Sequence, residues 1–436
     1  MQYTANTLEN QWMPFTANRD FKADPRLVVK GKGINYTNHH GDNIIDGSSG
    51  LFCCAAGHGR QEIADAVAEQ LMELDFCPHF QIGSPPSFEL ASRVSALTPD
   101  NMNNVFFTNS GSESIDSALK IAMAYHSARG ESCRSRFVSR ERAYHGANIG
   151  GTSLSGLMKN RQTFGSLMPG VVHMRHTWAP ESRFIRGQPE QGAELAEDLL
   201  RFCELLGGGN IAACFVEPIA GSTGCLVPPI GYLERLREIC DAHGILLVFD
   251  EVITGFGRTG KPFASQTFGV TPDMMTLAKA LTNGVLPMGA VVVKDKIYDV
   301  INDAAPDGAI DFFHGYTYSG NPTSCAAGLA TLNIYEKENL FQRGADLSEY
   351  FLDCVFDLED IDSVTDIRGY GLFAGVDLAV DGVTGVAGTK ALKALFEAGL
   401  HIKFTGDTAV MAPPLISKKS DIDNIVGILR EVLTST

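Results

Sequence analysis

Two acids and a lysine stand at the ends of apolar runs in this chain. Ile245-Leu-Leu-Val-Phe-Asp250-Glu251 is a stretch of aliphatic, β-branched and aromatic residues broken only at its end by two carboxylates. That pattern predicts a parallel strand covered on both faces, which delivers its acids at the C-terminal edge. Ligands of open α/β sheets sit beyond the carboxyl ends of strands, so a charge there is placed to meet one. Met274-Met-Thr-Leu-Ala278 is a second short apolar run, and it ends on Lys279. A lysine amine can hold an aldehyde covalently, then act as a general base once substrate displaces it. A carboxylate opposite a pyridine nitrogen keeps that nitrogen protonated, so the ring accepts electrons from a developing carbanion. The pair therefore suits pyridoxal phosphate. Each residue taken singly has a plainer reading, Asp250 as a buried acid capping a turn and Lys279 as a solvated surface lysine.

The elements that must position these groups follow from the surrounding pattern. Residues 1–30 read as an irregular arm with Trp12-Met-Pro-Phe15 as an apolar plug, suited to docking on a partner subunit or on its own domain. Leu27–Gly31 and Ile34–Thr37 read as an antiparallel hairpin. A glycine-punctuated loop, Cys53–Gly59, leads into an amphipathic helix from Glu62 to Leu74. Helix 88–97, strand Asn104–Thr108, helix 112–128, strands Arg136–Ser139 and Ala212–Glu217, helix 231–243 and strand 245–250 follow. Strands separated by helices predict βαβ units and a mostly parallel sheet. From about residue 322 long helices precede two or three strands, which reads as a smaller α+β domain. The expected division is an arm and hairpin over 1–58, a large domain over 59–321 and a small domain over 322–436.

Other motifs narrow the chemistry. Phe106-Phe-Thr-Asn-Ser-Gly111-Ser112-Glu113 is a strand, a tight turn and a helix start. Its free N–H groups and dipole favour a phosphate, although Ser-Gly-Ser-Glu also satisfies ordinary N-cap preferences. Gly255-Phe-Gly257-Arg-Thr-Gly260 matches G-x-G-x-x-G, but no helical periodicity follows to receive a pyrophosphate, so a dinucleotide site is rejected. Tyr144-His145-Gly146 follows a strand and could stack on a flat cofactor or serve the core. Glu217-Pro218 ends another apolar strand, as Asp250 does. No P-loop, no G-x-S-x-G and no H-E-x-x-H spacing occurs, and His39-His40 reads as a turn.

With 436 residues, 44% hydrophobic and 20% charged, the composition is that of a globular enzyme. A net charge of −16 disfavours nucleic acid and anionic membranes. Ten cysteines without a C-x-x-C pair read as reduced thiols of a cytoplasmic protein. Neither a signal peptide nor a membrane-spanning segment is expected.

Taken together, Trp12-Met-Pro-Phe-Thr-Ala-Asn-Arg, Asn109-Ser-Gly-Ser-Glu, Tyr144-His-Gly, Glu217-Pro-Ile, Phe249-Asp-Glu-Val-Ile-Thr-Gly-Phe-Gly-Arg, Leu277-Ala-Lys and His314-Gly-Tyr-Thr-Tyr-Ser-Gly-Asn-Pro resemble the class III, or omega, aminotransferases. These are fold type I enzymes dependent on pyridoxal 5′-phosphate, and within them the chain looks most like the β-alanine:pyruvate transaminases. The resemblance covers nearly the whole chain. It implies an α/β fold with a mostly parallel large-domain sheet and a smaller α+β domain. It also implies Lys279 as the lysine that holds the cofactor and shuttles the proton, and Asp250 as partner of the pyridinium nitrogen. Val252 and Tyr144 would sandwich the ring, with His145 and Glu217 beside the cofactor. Gly111 and Ser112 would bind the phosphate, helped by Thr317 from a neighbouring subunit of an obligate homodimer. Phe52 and Tyr144 would line the substrate pocket, with Trp12 near its mouth.

Two departures stand out. Phe52 replaces the family's usual tryptophan, and Lys403 occupies the place of a mobile arginine that clamps substrate carboxylates. A lysine keeps the charge but loses the bidentate fork. Either Lys403 takes the carboxylate with altered preference, or it points to solvent and another cation such as Arg161 takes over. The expected reaction is ping-pong transfer from a terminal amine or ω-amino acid to pyruvate. An aminomutase, a decarboxylating, taurine or polyamine transaminase, and a regulator without turnover are the other readings.

Overall fold

The computed structural model describes residues 8–165, 167–380 and 382–435. The arm is not wholly irregular as expected: Asn18–Ala23 forms a short helix, α1, and buries Phe21. The Asn18 side chain secures its approach, accepting from Met13 N at 2.9 Å and donating to Met13 O at 2.9 Å. The predicted hairpin appears as β1 (Val28–Lys32) and β2 (Asn35–Asn38), extended by β3 (Asn43–Asp46) into an antiparallel meander. Helix α2 (Gln61–Glu73) follows.

The central sheet has seven strands: β4 (Asn104–Thr108), β5 (Arg136–Arg140), β6 (Val171–Met174), β7 (Ile211–Val216), β8 (Leu246–Asp250), β9 (Met274–Leu277) and β10 (Gly289–Val293), in the order β4-β10-β9-β8-β7-β5-β6. Both its faces are covered. Along β8, Leu246 and Val248 join one core with helix α3 (Gly111–Ala128), while Leu247 and Phe249 join the other. Side chains alternate across a strand, so burial on both faces requires an unbroken apolar run. That is why β7, β8 and β9 were legible. β6 and β10 were not expected from the sequence. β6 is only four residues long and carries His173. β10 is antiparallel to both its neighbours, pairing Val291 with Thr276 on one side and Phe106 on the other. An antiparallel insertion leaves no local mark in the sequence.

Beyond β10 come helices α4 (Pro322–Lys337) and α5 (Leu340–Phe356), then β11 (Val364–Gly369) and β12 (Ala374–Leu378). β13 (Leu400–His401) leaves to pair in parallel with β3, Leu400 opposite Ile45 and His401 opposite Asp46. β14 (Lys403–Thr405) and β15 (Thr408–Met411) complete a sheet of order β11-β12-β15-β14, and α6 (Lys419–Ser435) closes the chain. The stretch 400–405 thus passes from one sheet into another around the buried Ile402.

The glycines of Gly255-Phe-Gly257-Arg-Thr-Gly260 serve packing. A Cβ on Gly257 would lie 2.5 Å from Phe341 and one on Gly260 would lie 3.1 Å from Ala345, both on α5. The next helix is only Ala264–Phe268. All ten cysteines are free; six are buried, whereas Cys133 is exposed. Among the described residues, no helix is long and apolar enough to cross a membrane.

Candidate active site

β8 and β9 are parallel neighbours with Asp250 opposite Thr276, so the ends of both strands open onto one cleft. Asp250 Oδ1 accepts from Thr276 Oγ1 at 3.1 Å and from Val252 N at 3.2 Å. Its Oδ2 lies 2.8 Å from His145 Nδ1. Asp250 is thereby fixed by the turn after its own strand, the next strand and the segment after β5. His145 is 1% exposed, and its Nε2 has no partner among the described residues.

Two residues beyond β9, Lys279 adopts left-handed backbone at φ 49° and starts a single 3-10 turn. That region is costly for a residue with a Cβ, and such conformations gather at functional sites. Its amine forms no hydrogen bond or ion pair among the described residues. Desolvation holds its pKa below the ordinary lysine value, opposed by Cys53, Asp250 and Glu217. A neutral amine is the nucleophilic form.

The start of α3 forms the third wall. Ser110 caps it, accepting from Glu113 N at 3.2 Å. Gly111 is pressed against Val252, with 3.1 Å between a Cβ built there and Val252 Cγ1. Ser112 Oγ accepts from Ala147 N at 2.9 Å, and a Cβ on Gly146 would meet that oxygen at 2.5 Å. Ser114 Oγ bridges this turn to β9 by donating to Leu277 O at 3.2 Å.

Glu217, just past β7, is buried and accepts from Tyr144 N at 3.0 Å and Gly221 N at 2.8 Å. Burial pushes its pKa up, and the Asp250 charge adds to that. Burial likewise raises the pKa of Tyr144, whose ring meets Phe15 edge-on with centroids 6.5 Å apart. The Phe52 ring centroid is 5.5 Å from Lys279 Nζ. Lys403 is half-buried, its Nζ donating to Thr405 Oγ1 at 2.8 Å. Desolvation, with a contribution from the Lys279 charge, brings its pKa down to about 8. Lys403 therefore does not point freely into solvent.

Three expected residues stand apart within the single chain. Trp12 is 90% exposed, Thr317 is exposed, and Arg161 is engaged with Ser153 O at 3.0 Å. Thr276 and Cys53 were not among the expected site residues. Thr276 is the one polar residue inside β9, a signal that was available; Cys53 is marked only by adjoining Phe52.

A family model described as Aminotransferase class-III matches residues 16–433. The chain belongs to the class-III aminotransferases. It is 50% identical to an omega-aminotransferase of Caulobacter vibrioides, over 99% of this chain and 98% of that protein. It is 48% identical to an omega-amino acid–pyruvate aminotransferase of Pseudomonas putida, over 98% and 96%. Among solved structures, the omega transaminase of Pseudomonas jessenii in complex with PMP superposes with a TM-score of 0.94 at 32% identity, covering 100% of this chain and 98% of that one. Class-III aminotransferases are pyridoxal 5′-phosphate-dependent enzymes.

This aminotransferase's residues fit that group. The N-terminus of α3 and the glycine-tight Ser112–Gly146 contact suit a phosphate. The Asp250–His145 pair, with one imidazole nitrogen still unpartnered, suits a protonated pyridine. When bound, the cofactor supplies an aldehyde to take up the amine and a ring that withdraws electrons from the neighbouring carbon.

Proposed function

We propose that this aminotransferase moves the amino group of a terminal amine or ω-amino acid, of which β-alanine is the type, to pyruvate by a ping-pong cycle. The observation that carries the reading is Lys279: a desolvated, unpaired amine on strained backbone, facing the Asp250 side of the cleft. In this reading, with the cofactor bound, Lys279 would move the proton between substrate and cofactor carbons, and Asp250, itself oriented by His145 and Thr276, would keep a proton on the ring nitrogen. Gly111 and Ser112 would hold the phosphate. Val252 and Tyr144 would cover the two ring faces, while Glu217 would orient the groups around the ring oxygen. Phe52 and Tyr144 would form the pocket wall, and the arm that carries the exposed Trp12 would border its mouth, where Phe15 meets Tyr144. Lys403 supplies the charge that meets a substrate carboxylate. Relatives named for β-alanine and ω-amino acids with pyruvate support the substrate pair.

The same reading makes the active unit a homodimer. The segment 76–88 exposes Phe76, Phe80, Ile82 and Phe88 and packs against the turn that carries Phe313, Thr317 and Tyr318, for instance through Phe76 and Tyr318 at 5.9 Å. Such a contiguous apolar surface calls for a second copy. Thr317 then reaches the partner's phosphate. A division at residues 58 and 321, with the first segment joined to the last through β3 and β13, accompanies this reading. Ten free cysteines suit a reducing, cytoplasmic compartment.

Titrating the cofactor-loaded enzyme with β-alanine in the absence of keto acid tests the donor. The visible absorbance of the aldehyde form should bleach as pyridoxamine phosphate accumulates. Persistence of the band overturns the donor class.

A further inference from the structure

After β3 the chain takes left-handed backbone at three of four residues: Ser49 at φ 48°, Gly50 at 68° and Phe52 at 64°. Two of these carry a Cβ, so the path persists only where its surroundings over-determine it. Those surroundings are polar and buried. Asp46 is wholly enclosed. Its Oδ1 accepts from Ser48 N at 3.1 Å, and its Oδ2 accepts from Gly50 N and meets His58 Nε2 at 2.7 Å. Ser48 Oγ donates to Val410 O at 2.8 Å and accepts from Lys403 N at 2.9 Å. Ser49 Oγ donates to Ala412 O at 2.7 Å and takes a bond from the buried Arg258 at 3.2 Å. The turn that presents Phe52 is thus bonded directly to the strand that presents Lys403.

We propose that Asp46 is a positioning residue for substrate specificity. Its carboxylate sets the Ser48–Phe52 turn and, through Ser48, the backbone of Lys403, so the apolar wall and the carboxylate-binding charge keep one spacing. The proposal rests on the reading of Phe52 and Lys403 as pocket residues. A carboxylate is needed because three donors converge on it, two backbone N–H groups and an imidazole. An asparagine would turn its own amide hydrogens toward one of them and release it. Preference for short donors bearing an acid group then belongs to a single frame, set by a residue that touches no substrate.

The test compares β-alanine with propylamine as donors to pyruvate, using cofactor-loaded Asp46→Asn, Ser48→Ala, Phe52→Ala and Lys403→Ala enzymes. Propionate binding, by calorimetric titration, reads the acid-group site without turnover. The Asp46→Asn change should raise KM for β-alanine over that for propylamine by about tenfold, with kcat on propylamine within about twofold, as expected of residues coupled through shared partners. Ser48→Ala should shift the ratio in the same direction, and both should weaken propionate. Adding Lys403→Ala to Asp46→Asn should produce no further discrimination. An unchanged KM ratio in folded Asp46→Asn and Ser48→Ala, or an equal fall in kcat for both amines, overturns the proposal. Should Asp46→Asn fail to fold, the KM ratio of Ser48→Ala decides between these outcomes. If Phe52→Ala and Lys403→Ala themselves leave the ratio unchanged, the pocket reading is wrong, and the proposal falls with it by a separately visible route.

Discussion

An ammonium and a guanidinium carry the same charge but answer differently to the burial that this cleft imposes. A guanidinium stays protonated at any working pH, whereas a half-buried lysine can lose its proton. Lys403, desolvated and near Lys279, titrates at about 8. Below that value it carries its charge and can meet a carboxylate; as the pH rises through it, the charge is lost. KM for β-alanine should therefore climb above pH 8 relative to KM for propylamine. The Lys403→Arg enzyme should lack that rise, and Lys403→Ala should bind β-alanine more weakly than the unchanged enzyme by about tenfold or more below pH 8, a gap that closes as the pH rises. Steady-state pH profiles of the three enzymes check this, and a climb that persists in Lys403→Arg would assign it to another group. Where a lysine stands in place of an arginine was legible in the sequence. That it parks on Thr405 beside Lys279 was not, because it depends on β14 lying against the turn after β3.

At the scale of elements, the start of α3 has to approach the segment after β5 more closely than a side chain allows. Gly146 adopts φ 100° and faces Ser112 Oγ. Alanine there suffers both the backbone conformation and the contact. Gly146→Ala should cost about 1 kcal/mol or more of stability and lower the cofactor content of the purified enzyme, seen together in thermal melts and the visible-to-ultraviolet absorbance ratio. Normal cofactor content would detach this turn from the phosphate. Near the edges of the central sheet lie two histidines held neutral. His173 on β6 is brought to about 4 by burial, aided by Arg161, and His314, stacked on Phe106 of β4, is brought to about 4 by burial and Lys120. An unfolded chain protonates these groups from their ordinary value of 6.5. Between 6.5 and 4 it binds protons that the folded chain refuses, so stability falls as pH falls across that window. Denaturant titrations of His173→Gln and His314→Gln should show a shallower loss across the same window.

For the whole molecule, the decisive question is what covers the apolar segment 76–88. On the proposed homodimer, Phe88→Asp with Phe313→Asp should yield monomers by sedimentation, and activity should fall with dissociation because Thr317 would no longer reach a second site. Active monomers would refute the shared site. The α/β class, the buried strands β7, β8 and β9, the placement of Asp250 and Lys279 at strand ends and the turn that opens α3 were readable from residue order, because each depends on a local signal: an apolar run, a terminal charge, a glycine at a helix start. The family landmarks then extended that reading along nearly the entire chain. What required the tertiary structure was everything set by elements distant in sequence. The antiparallel insertion of β10, the Thr276 and His145 bonds that fix Asp250, and the Asp46–Ser48 frame linking Phe52 to Lys403 all arise where segments far apart in the chain meet. Hydrogen bonds between such partners depend on register and packing, which no short stretch of sequence encodes.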